Sequence, residues 1–168
     1  LPEAWGGAAH TSAVILNDDS YSMTAVDGRG ELLRQARDAA AGVLRSLRDG
    51  DEAAVIPLSD AVDPSSVTPT RILPLSIDAA ANLRASAVRQ SLEMGIRTAA
   101  AVLASTLNAN KELYVLSDFQ KTLLGRSDQV PLATLNDPAV RVFAVPLGDR
   151  TAANVSIERM RFPGALVN

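Results

Sequence analysis

The chain has no cysteine, and this absence excludes several kinds of chemistry. Thiol nucleophiles, thiolate zinc sites and disulfide bonds all need cysteine side chains. Histidine is nearly absent too, because His10 is the only one and lies in a segment without apolar periodicity. An imidazole base or metal ligand is therefore not expected. The lack of cysteine does not decide between the two sides of a cell membrane.

An excess of positive charge and long hydrophobic runs are also missing. The 16 basic and 19 acidic residues give a net charge of -3, so we expect neither nucleic acid nor an anionic membrane surface as a partner. No apolar run approaches the roughly 18–20 residues of a membrane span, and no signal-peptide pattern is present. Because residue 1 is leucine, we expect a fragment or a processed chain of a longer protein.

The 168 residues suit one domain with a substantial core. Short apolar runs alternate with segments of helical periodicity, which predicts an α/β fold with a doubly wound, mostly parallel sheet flanked by helices. A predicted helix from Glu31 and another from Leu92 are the clearest, and Ser91 occupies the N-cap position of the second. The predicted strands are 13–16, 53–58, 71–75, 112–116 and 140–145, with weak helical character over 78–88.

The segment 151–168 departs from the pattern of such a fold, which usually ends in a helix. Residues 154–162 alternate imperfectly between apolar and polar side chains and end at a Pro-Gly turn. We therefore predict an extra C-terminal β-segment, which either joins the sheet edge or begins a further β domain. The predicted organisation is a lead-in over 1–11, a domain over 12–150 and this tail.

Two groups of oxygen-bearing side chains follow predicted strands. "DDSYS", 18–22, follows the first strand, and "SD", 117–118, follows the fourth. In the common strand order 3-2-1-4-5 these strands are neighbours, and their carboxyl ends form the ligand site. Carboxylates and hydroxyls without histidine or cysteine suit a hard divalent cation such as Mg²⁺. We therefore predict that the two clusters form a metal-capable site at the surface, outside the core.

The D-x-S-x-S pattern of Asp18, Ser20 and Ser22 resembles the metal-ion-dependent adhesion site of von Willebrand factor A domains. "YVLSDFQ", 114–120, resembles the fourth-strand segment of that family, with Asp118 as its acidic residue. The wording "DDSYSM" and "LSDFQ" is most similar to a bacterial branch, the BatA-like aerotolerance-regulator membrane proteins. The resemblance covers roughly residues 12–147.

This resemblance implies a protein–protein interaction module and not an enzyme. The two serines would coordinate Mg²⁺, or Mn²⁺ or Ca²⁺, and the two aspartates would hold it directly or through water. An Asp or Glu of a partner protein would complete the coordination. The parent protein would be anchored in the bacterial inner membrane, with no membrane contact by this segment itself. The side of the membrane and the oligomeric state are left open.

One part of the family pattern is missing. The family supplies a third hydroxyl, usually Thr followed by Asp, before the helix that precedes the fourth strand. Here Gln90 and Ser91 occupy these two positions, and a shift of one residue would make Ser91 the ligand. Ser91 is therefore a candidate ligand as well as a candidate N-cap. The resemblance implies a partly degenerate site whose metal binding is weak or lost.

Other interpretations of the same residues stay open. The serines and aspartates could form a polar turn and a helix cap, which leaves a metal-independent scaffold domain. A phosphatase of the haloacid dehalogenase class has the pattern D-x-D after its first strand, and the matching positions here are Asn17 and Asp19. The nucleophile position would then hold an amide, although Lys111 before the fourth strand fits that class. A serine hydrolase fits less well than the phosphatase, because G-x-S-x-G and a credible histidine base are both missing.

Overall fold

A parallel sheet of four strands forms the centre of the structure, a computed structural model that describes residues 9–120 and 140–148. The strands are β1 (Thr11–Asn17), β4 (Glu52–Pro57), β5 (Asn110–Ser117) and β6 (Val140–Pro146). Their order is β4-β1-β5-β6, and a short hairpin of β2 (Val26–Asp27) and β3 (Gly30–Glu31) lies apart from them. The predicted α/β class is confirmed. β5 contains the predicted fourth strand, 112–116, and it is the neighbour of β1, as the site prediction requires.

Three α-helices cover the two faces of this sheet. They are α1 (Leu32–Ser46), α2 (Leu73–Ala81) and α3 (Leu92–Ala104). Successive side chains of a strand point to opposite faces. Val14 and Leu16 of β1 accordingly pack in the core cluster that contains the apolar side chains of α3. Ala13 and Ile15 pack in the cluster that contains those of α1 and α2. Cover on both faces explains why β1 is apolar throughout its centre.

The predicted third strand at 71–75 is wrong. Helix α2 begins at Leu73, with Pro74 in its first turn, where the missing N–H of proline removes no helical hydrogen bond. Thr70 still pairs with Ala53, but only as an isolated antiparallel bridge. The weak helix predicted over 78–88 is likewise displaced towards the amino terminus, because α2 ends at Ala81.

β4 ends at Pro57 and is an edge strand of the sheet within the described residues, a place that suits a residue without a backbone N–H. Leu107 lies beyond the end of α3 and is 98% exposed. The predicted tail strand at 154–162 falls outside the described residues. No helix in the described part of the chain is long and apolar enough to cross a membrane.

Asn17, the last residue of β1, is a polar side chain in the core. It is fully buried between Pro57 and Leu116 of the flanking strands, and neither its amide oxygen nor its amide nitrogen has a hydrogen-bond partner among the described residues. A buried polar group without a partner destabilises a protein by about 1–3 kcal/mol. We expect Asn17→Leu to raise the free energy of unfolding by about 1–2 kcal/mol, measured by chemical denaturation.

The matched control for this prediction is Asn110→Leu in the neighbouring strand β5. The amide nitrogen of Asn110 donates to the carbonyl of Ala9 at 2.8 Å, so this substitution removes a hydrogen bond that exists. We expect no gain in stability from it. Equal gains from both substitutions would show that added apolar volume is the cause, and a loss from Asn17→Leu would contradict the prediction.

Candidate metal centre

The carboxyl ends of β1 and β5 bring the two predicted polar groups together. The N–H of Asp18 donates to the carbonyl of Leu116 at 2.8 Å, so pairing of the two segments continues one residue beyond β1. The hydroxyl of Ser117 donates to Oδ2 of Asp18 at 2.6 Å. These two bonds join loops that are about a hundred residues apart in the chain. The predicted convergence of 18–22 with 117–118 is therefore present in the structure.

Asp18 itself is buried, which corrects the expectation that it lies at the surface outside the core. Its side chain is at the centre of the loop junction, and the residue is 1% exposed. Oδ1 accepts a hydrogen bond from the N–H of Ser20 at 2.9 Å, while Oδ2 is bound by Ser117. Asp18 thus fixes the conformation of the loop that presents Ser20. Each of its oxygens keeps a further lone pair for a cation or for a water bound to one.

The hydroxyls of Ser20 and Ser22 form the exposed side of this junction. A single-turn 3-10 helix, Tyr21–Thr24, follows Ser20 and turns the two half-buried side chains towards each other. Their Oγ atoms are 3.0 Å apart. Two oxygens bound to Mg²⁺ at adjacent octahedral positions are about 2.9 Å apart, as follows from bond lengths near 2.0–2.1 Å. The serine pair therefore has the spacing that two neighbouring ligands of Mg²⁺ need.

Asp118 has the clearest unsatisfied ligand atom of the site. It is 5% exposed, its Oδ1 accepts from the N–H of Gln120 at 3.2 Å, and its Oδ2 has no partner among the described residues. Burial raises the pKa of this carboxyl group. The Ser22 hydroxyl, which lies near the carboxyl group without forming a hydrogen bond to Oδ2, lowers the pKa in part, and the negative charge of Asp18 raises it further. A buried carboxylate oxygen without a donor is unfavourable unless a cation neutralises it. Oδ2 of Asp118 therefore fits a metal ligand.

Asp19 is turned away from the hydroxyl pair. Its Oδ1 accepts from the N–H of Ser59 at 2.9 Å and its Oδ2 from the Ser59 hydroxyl at 2.5 Å. Burial raises the pKa of Asp19, and the two bonds to Ser59 act in the opposite direction. These contacts fasten the loop after β1 to the turn after β4. Asn17 is fully buried, and both carboxylate oxygens of Asp19 are bound by Ser59. The two positions that match the phosphatase pattern are therefore both in contacts that stabilise the fold.

Ser91 caps helix α3, as its N-cap prediction states. Its hydroxyl accepts a hydrogen bond from the N–H of Met94 at 3.2 Å. Gln90, the preceding residue, instead lines a cleft of about 510 Å³ together with Ser20, Ser22 and Gln120. Gln90, at the position where the family has its third hydroxyl, thus presents an amide to this cleft. The assignment of Ser91 as a metal ligand stays a prediction, because the structure shows only its capping bond.

Sequence reasoning missed two serines that build the site. Ser59 holds Asp19, and Ser86 donates its N–H to the carbonyl of Asp19 at 2.7 Å while pairing with Ser20 in a parallel bridge. Ser59 follows the end of β4 by two residues, so its place at the same sheet edge was a signal that could have been used. Ser86 lies in a connecting segment without periodicity, and no pattern in the sequence indicates its position.

The site depends on serine oxygens as much as on charge. No group of three or more histidine, cysteine, aspartate or glutamate side chains among residues 9–120 and 140–148 is arranged to hold a metal ion. The candidate donor set consists of the two serine hydroxyls and the carboxylates of Asp18 and Asp118. Neutral hydroxyls and two carboxylates form the oxygen set that a hard cation prefers.

Comparison with known proteins supports the fold and does not define the family. No family model and no curated protein matches the sequence. Among solved structures, the three N-terminal domains of the type V pili tip protein Mfa5 from Porphyromonas gingivalis match with a TM-score of 0.52 and 16% identity, over 66% of this chain and 20% of that one. The PilB minor pilin from Streptococcus sanguinis matches with a TM-score of 0.51 and 13% identity, over 65% and 30%.

A third match isolates the relevant part of the pilus tip protein. The vWF domain of Mfa5 matches with a TM-score of 0.50 and 16% identity, over 66% of this chain and 38% of that chain. In all three matches this chain spans well under half of the length of its neighbour. Identities this low show the fold alone. The chain therefore has an α/β fold of the von Willebrand factor A type.

Proposed function

We propose that the chain is a protein–protein interaction module that binds an acidic side chain of its partner through a divalent cation. The observation that carries the proposal is the buried Oδ2 of Asp118, which has no hydrogen-bond partner in the described part of the chain, near the paired hydroxyls of Ser20 and Ser22. The fold it shares with a pilus tip domain agrees with an interaction role. The metal, the partner carboxylate and the parent protein are proposals that go beyond this shared fold.

The serines and aspartates would share the work of holding the cation. Ser20 and Ser22 would bind Mg²⁺, or Mn²⁺ or Ca²⁺, directly, while Asp18 and Asp118 would bind it directly or through water. Serine hydroxyls are neutral, so they leave much of the positive charge of the ion uncancelled. A bound cation of this kind attracts a carboxylate from outside, which would be an Asp or Glu of the partner. Gln90 in place of the third hydroxyl makes weak metal binding the expectation.

The parent protein would be bacterial and anchored in the inner membrane. The support is the resemblance of "DDSYSM" and "LSDFQ" to the BatA-like aerotolerance regulators. The module would not be an enzyme. Asn17, at the nucleophile position of the phosphatase alternative, is an amide that is fully buried, and Asp19 is bound by Ser59 through both carboxylate oxygens.

Titration calorimetry with MgCl₂ and MnCl₂ tests the metal site. We expect the unmodified chain to bind weakly and Ser22→Ala to lose about 100-fold in affinity, because it removes a direct ligand without touching the core. Ser105→Ala is the matched control. The Ser105 hydroxyl donates to the carbonyl of Val102 near the end of α3, away from the site, so its loss should leave metal binding unchanged.

The other outcomes separate the alternatives. Equal binding by the Ser22→Ala variant would remove this residue from the site. No binding of either metal by the unmodified chain would favour the metal-independent scaffold. Phosphate release from p-nitrophenyl phosphate that requires both Mg²⁺ and Asp19 would favour the phosphatase and contradict the proposal.

A further inference from the structure

The cleft beside the hydroxyl pair has two preformed walls. One wall is the loop that contains Ser20, Tyr21 and Ser22, and the other is the segment 86–90. The backbone of the two walls is joined by the bridge between Ser20 and Ser86 and by the bond from the N–H of Ser86 to the carbonyl of Asp19. Because these bonds fix the walls, a ligand in the cleft would meet residues 86–90 at a constant distance from the serine pair.

Arg89 is the uncompensated charge of this cleft. The other charged side chain that lines the cleft is that of Asp19, which is buried against Ser59. Arg89 is exposed, and within the described residues it takes part in none of the ion pairs. A guanidinium group binds a carboxylate through two parallel N–H donors. Arg89 thus offers a second anchor for an anion, and this anchor does not depend on the metal.

Apolar side chains line the same cleft as the two anchors. Tyr21 is 78% exposed and Val88 is 55% exposed, although both line the same cleft. Tyrosine and arginine are enriched at the energetic centres of protein interfaces. Exposed apolar area beside a cationic group indicates a ligand that is acidic and apolar at once.

We propose that the cleft binds a partner segment with two acidic side chains and an apolar side chain between them. The first carboxylate would reach the cation at Ser20 and Ser22, the second would pair with Arg89, and the apolar side chain would pack against Tyr21 and Val88. This inference rests on the proposed function for its first contact. Charge complementarity favours an acidic segment in the cleft, because a cation held by Ser20 and Ser22 would be positive, as Arg89 is.

Defined peptides and a pair of charge reversals test the inference. The probes are N-acetylated and C-amidated, so that their only carboxylates are side chains: Gly-Gly-Asp-Gly-Gly has one acid, and Gly-Asp-Leu-Asp-Gly and Gly-Asp-Leu-Gly-Glu-Gly have two. Binding to the isotope-labelled chain is followed by NMR titration in Mg²⁺ and in EDTA. Arg84→Glu is the matched control for Arg89→Glu, because Arg84 is an exposed arginine of the same connecting segment that does not line the cleft.

We expect the better two-acid peptide to bind more tightly than the one-acid peptide in Mg²⁺. Arg89→Glu should weaken the two-acid peptide about tenfold more than Arg84→Glu does, and both variants should affect the one-acid peptide equally. Tyr21→Ser should weaken the two-acid peptide and spare the one-acid peptide, since glycine offers nothing for Tyr21 to contact.

Failure of the inference can be told from failure of the proposed function. If the one-acid peptide binds in Mg²⁺ and depends on Ser22, but the two arginine variants behave alike, the inference is wrong and the proposed function stands. If Mg²⁺ has no effect while the two-acid peptide still depends on Arg89 and not on Arg84, the Arg89 anchor stands and the metal does not. No binding in either buffer overturns both.

Discussion

Replacing Asp118 by asparagine should stabilise the metal-free protein and abolish its binding of Mg²⁺. The carboxylate is buried with one oxygen unpartnered, and the charge of Asp18 acts against its ionisation. Asparagine keeps an oxygen for the N–H of Gln120 and removes the buried charge. In EDTA we expect the free energy of unfolding to rise by about 1–2 kcal/mol, measured by denaturant titration.

With Mg²⁺ present the order of stability should reverse. A ligand that binds only the folded state raises the free energy of unfolding as its concentration exceeds the dissociation constant. The unmodified chain should therefore gain stability with added MgCl₂, and Asp118→Asn should not. A variant that is less stable than the unmodified chain in EDTA would show that Asp118 has a partner and is not a poised ligand.

Asp19→Asn is the matched control for Asp118→Asn. Burial raises the pKa of both carboxyl groups, so both carry an electrostatic penalty of the same sign. Asp19, however, accepts two hydrogen bonds from Ser59. An amide nitrogen in place of Oδ2 could only donate to the Ser59 hydroxyl, which would have to turn its own hydrogen away from its present acceptor. We expect Asp19→Asn to lower the stability in EDTA. Opposite signs for the same substitution at neighbouring places would separate a ligand awaiting a cation from a structural carboxylate.

The raised pKa of Asp118 also fixes a pH dependence. Between its ordinary value near 3.8 and its raised value in the folded state, the folded chain binds more protons than the unfolded chain. Stability in EDTA therefore falls as the pH rises through this window. The decline should be smaller in the Asp118→Asn variant, because Asp19 is then the one that remains of these two carboxyl groups with a raised pKa. Binding of Mg²⁺ should show the reverse dependence, since protons compete with the cation for Asp118.

The site could be located from the sequence because its parts follow strands. The D-x-S-x-S motif and Asp118 come directly after apolar runs, and parallel strands place their carboxyl ends at one edge. The burial of Asp18 could not be predicted in this way. It depends on the Ser117 hydroxyl, which comes from 99 residues along the chain, and no local pattern indicates such a contact. The pair of Asp19 and Ser59, separated by 40 residues, is a second case.

The error at 71–75 has a local cause. "RILPL" is a short apolar run, and periodicity alone cannot distinguish a buried strand from the first turn of a helix. Pro74 was the available evidence for the helix, because proline is favoured in the first turn. The bridge between Ala53 and Thr70 shows that the segment before α2 begins to pair with β4, but the pairing does not continue.

Gly95 allows α3 to approach the sheet, and its replacement by valine should destabilise the fold strongly. A Cβ at this position would lie 2.4 Å from Cδ1 of Leu58 and 3.0 Å from Cδ2 of Leu16, both of which are buried. Valine adds two more methyl groups that must find space in a filled core. We expect the free energy of unfolding to fall by about 3 kcal/mol, measured by chemical denaturation.

Gly42→Val in α1 is the control, because no atom lies within 4 Å of a Cβ placed there. Valine is a better helix residue than glycine by a few tenths of a kcal/mol, so about 0.5 kcal/mol of stabilisation is expected. A neutral Gly95→Val would mean that α3 lies farther from the sheet than the structure has it.

The Gly95→Val change should also affect the cleft. Leu58 lines the cleft and would be displaced by the new side chain, so any Gly95→Val protein that folds should bind acidic peptides more weakly, while Gly42→Val should not.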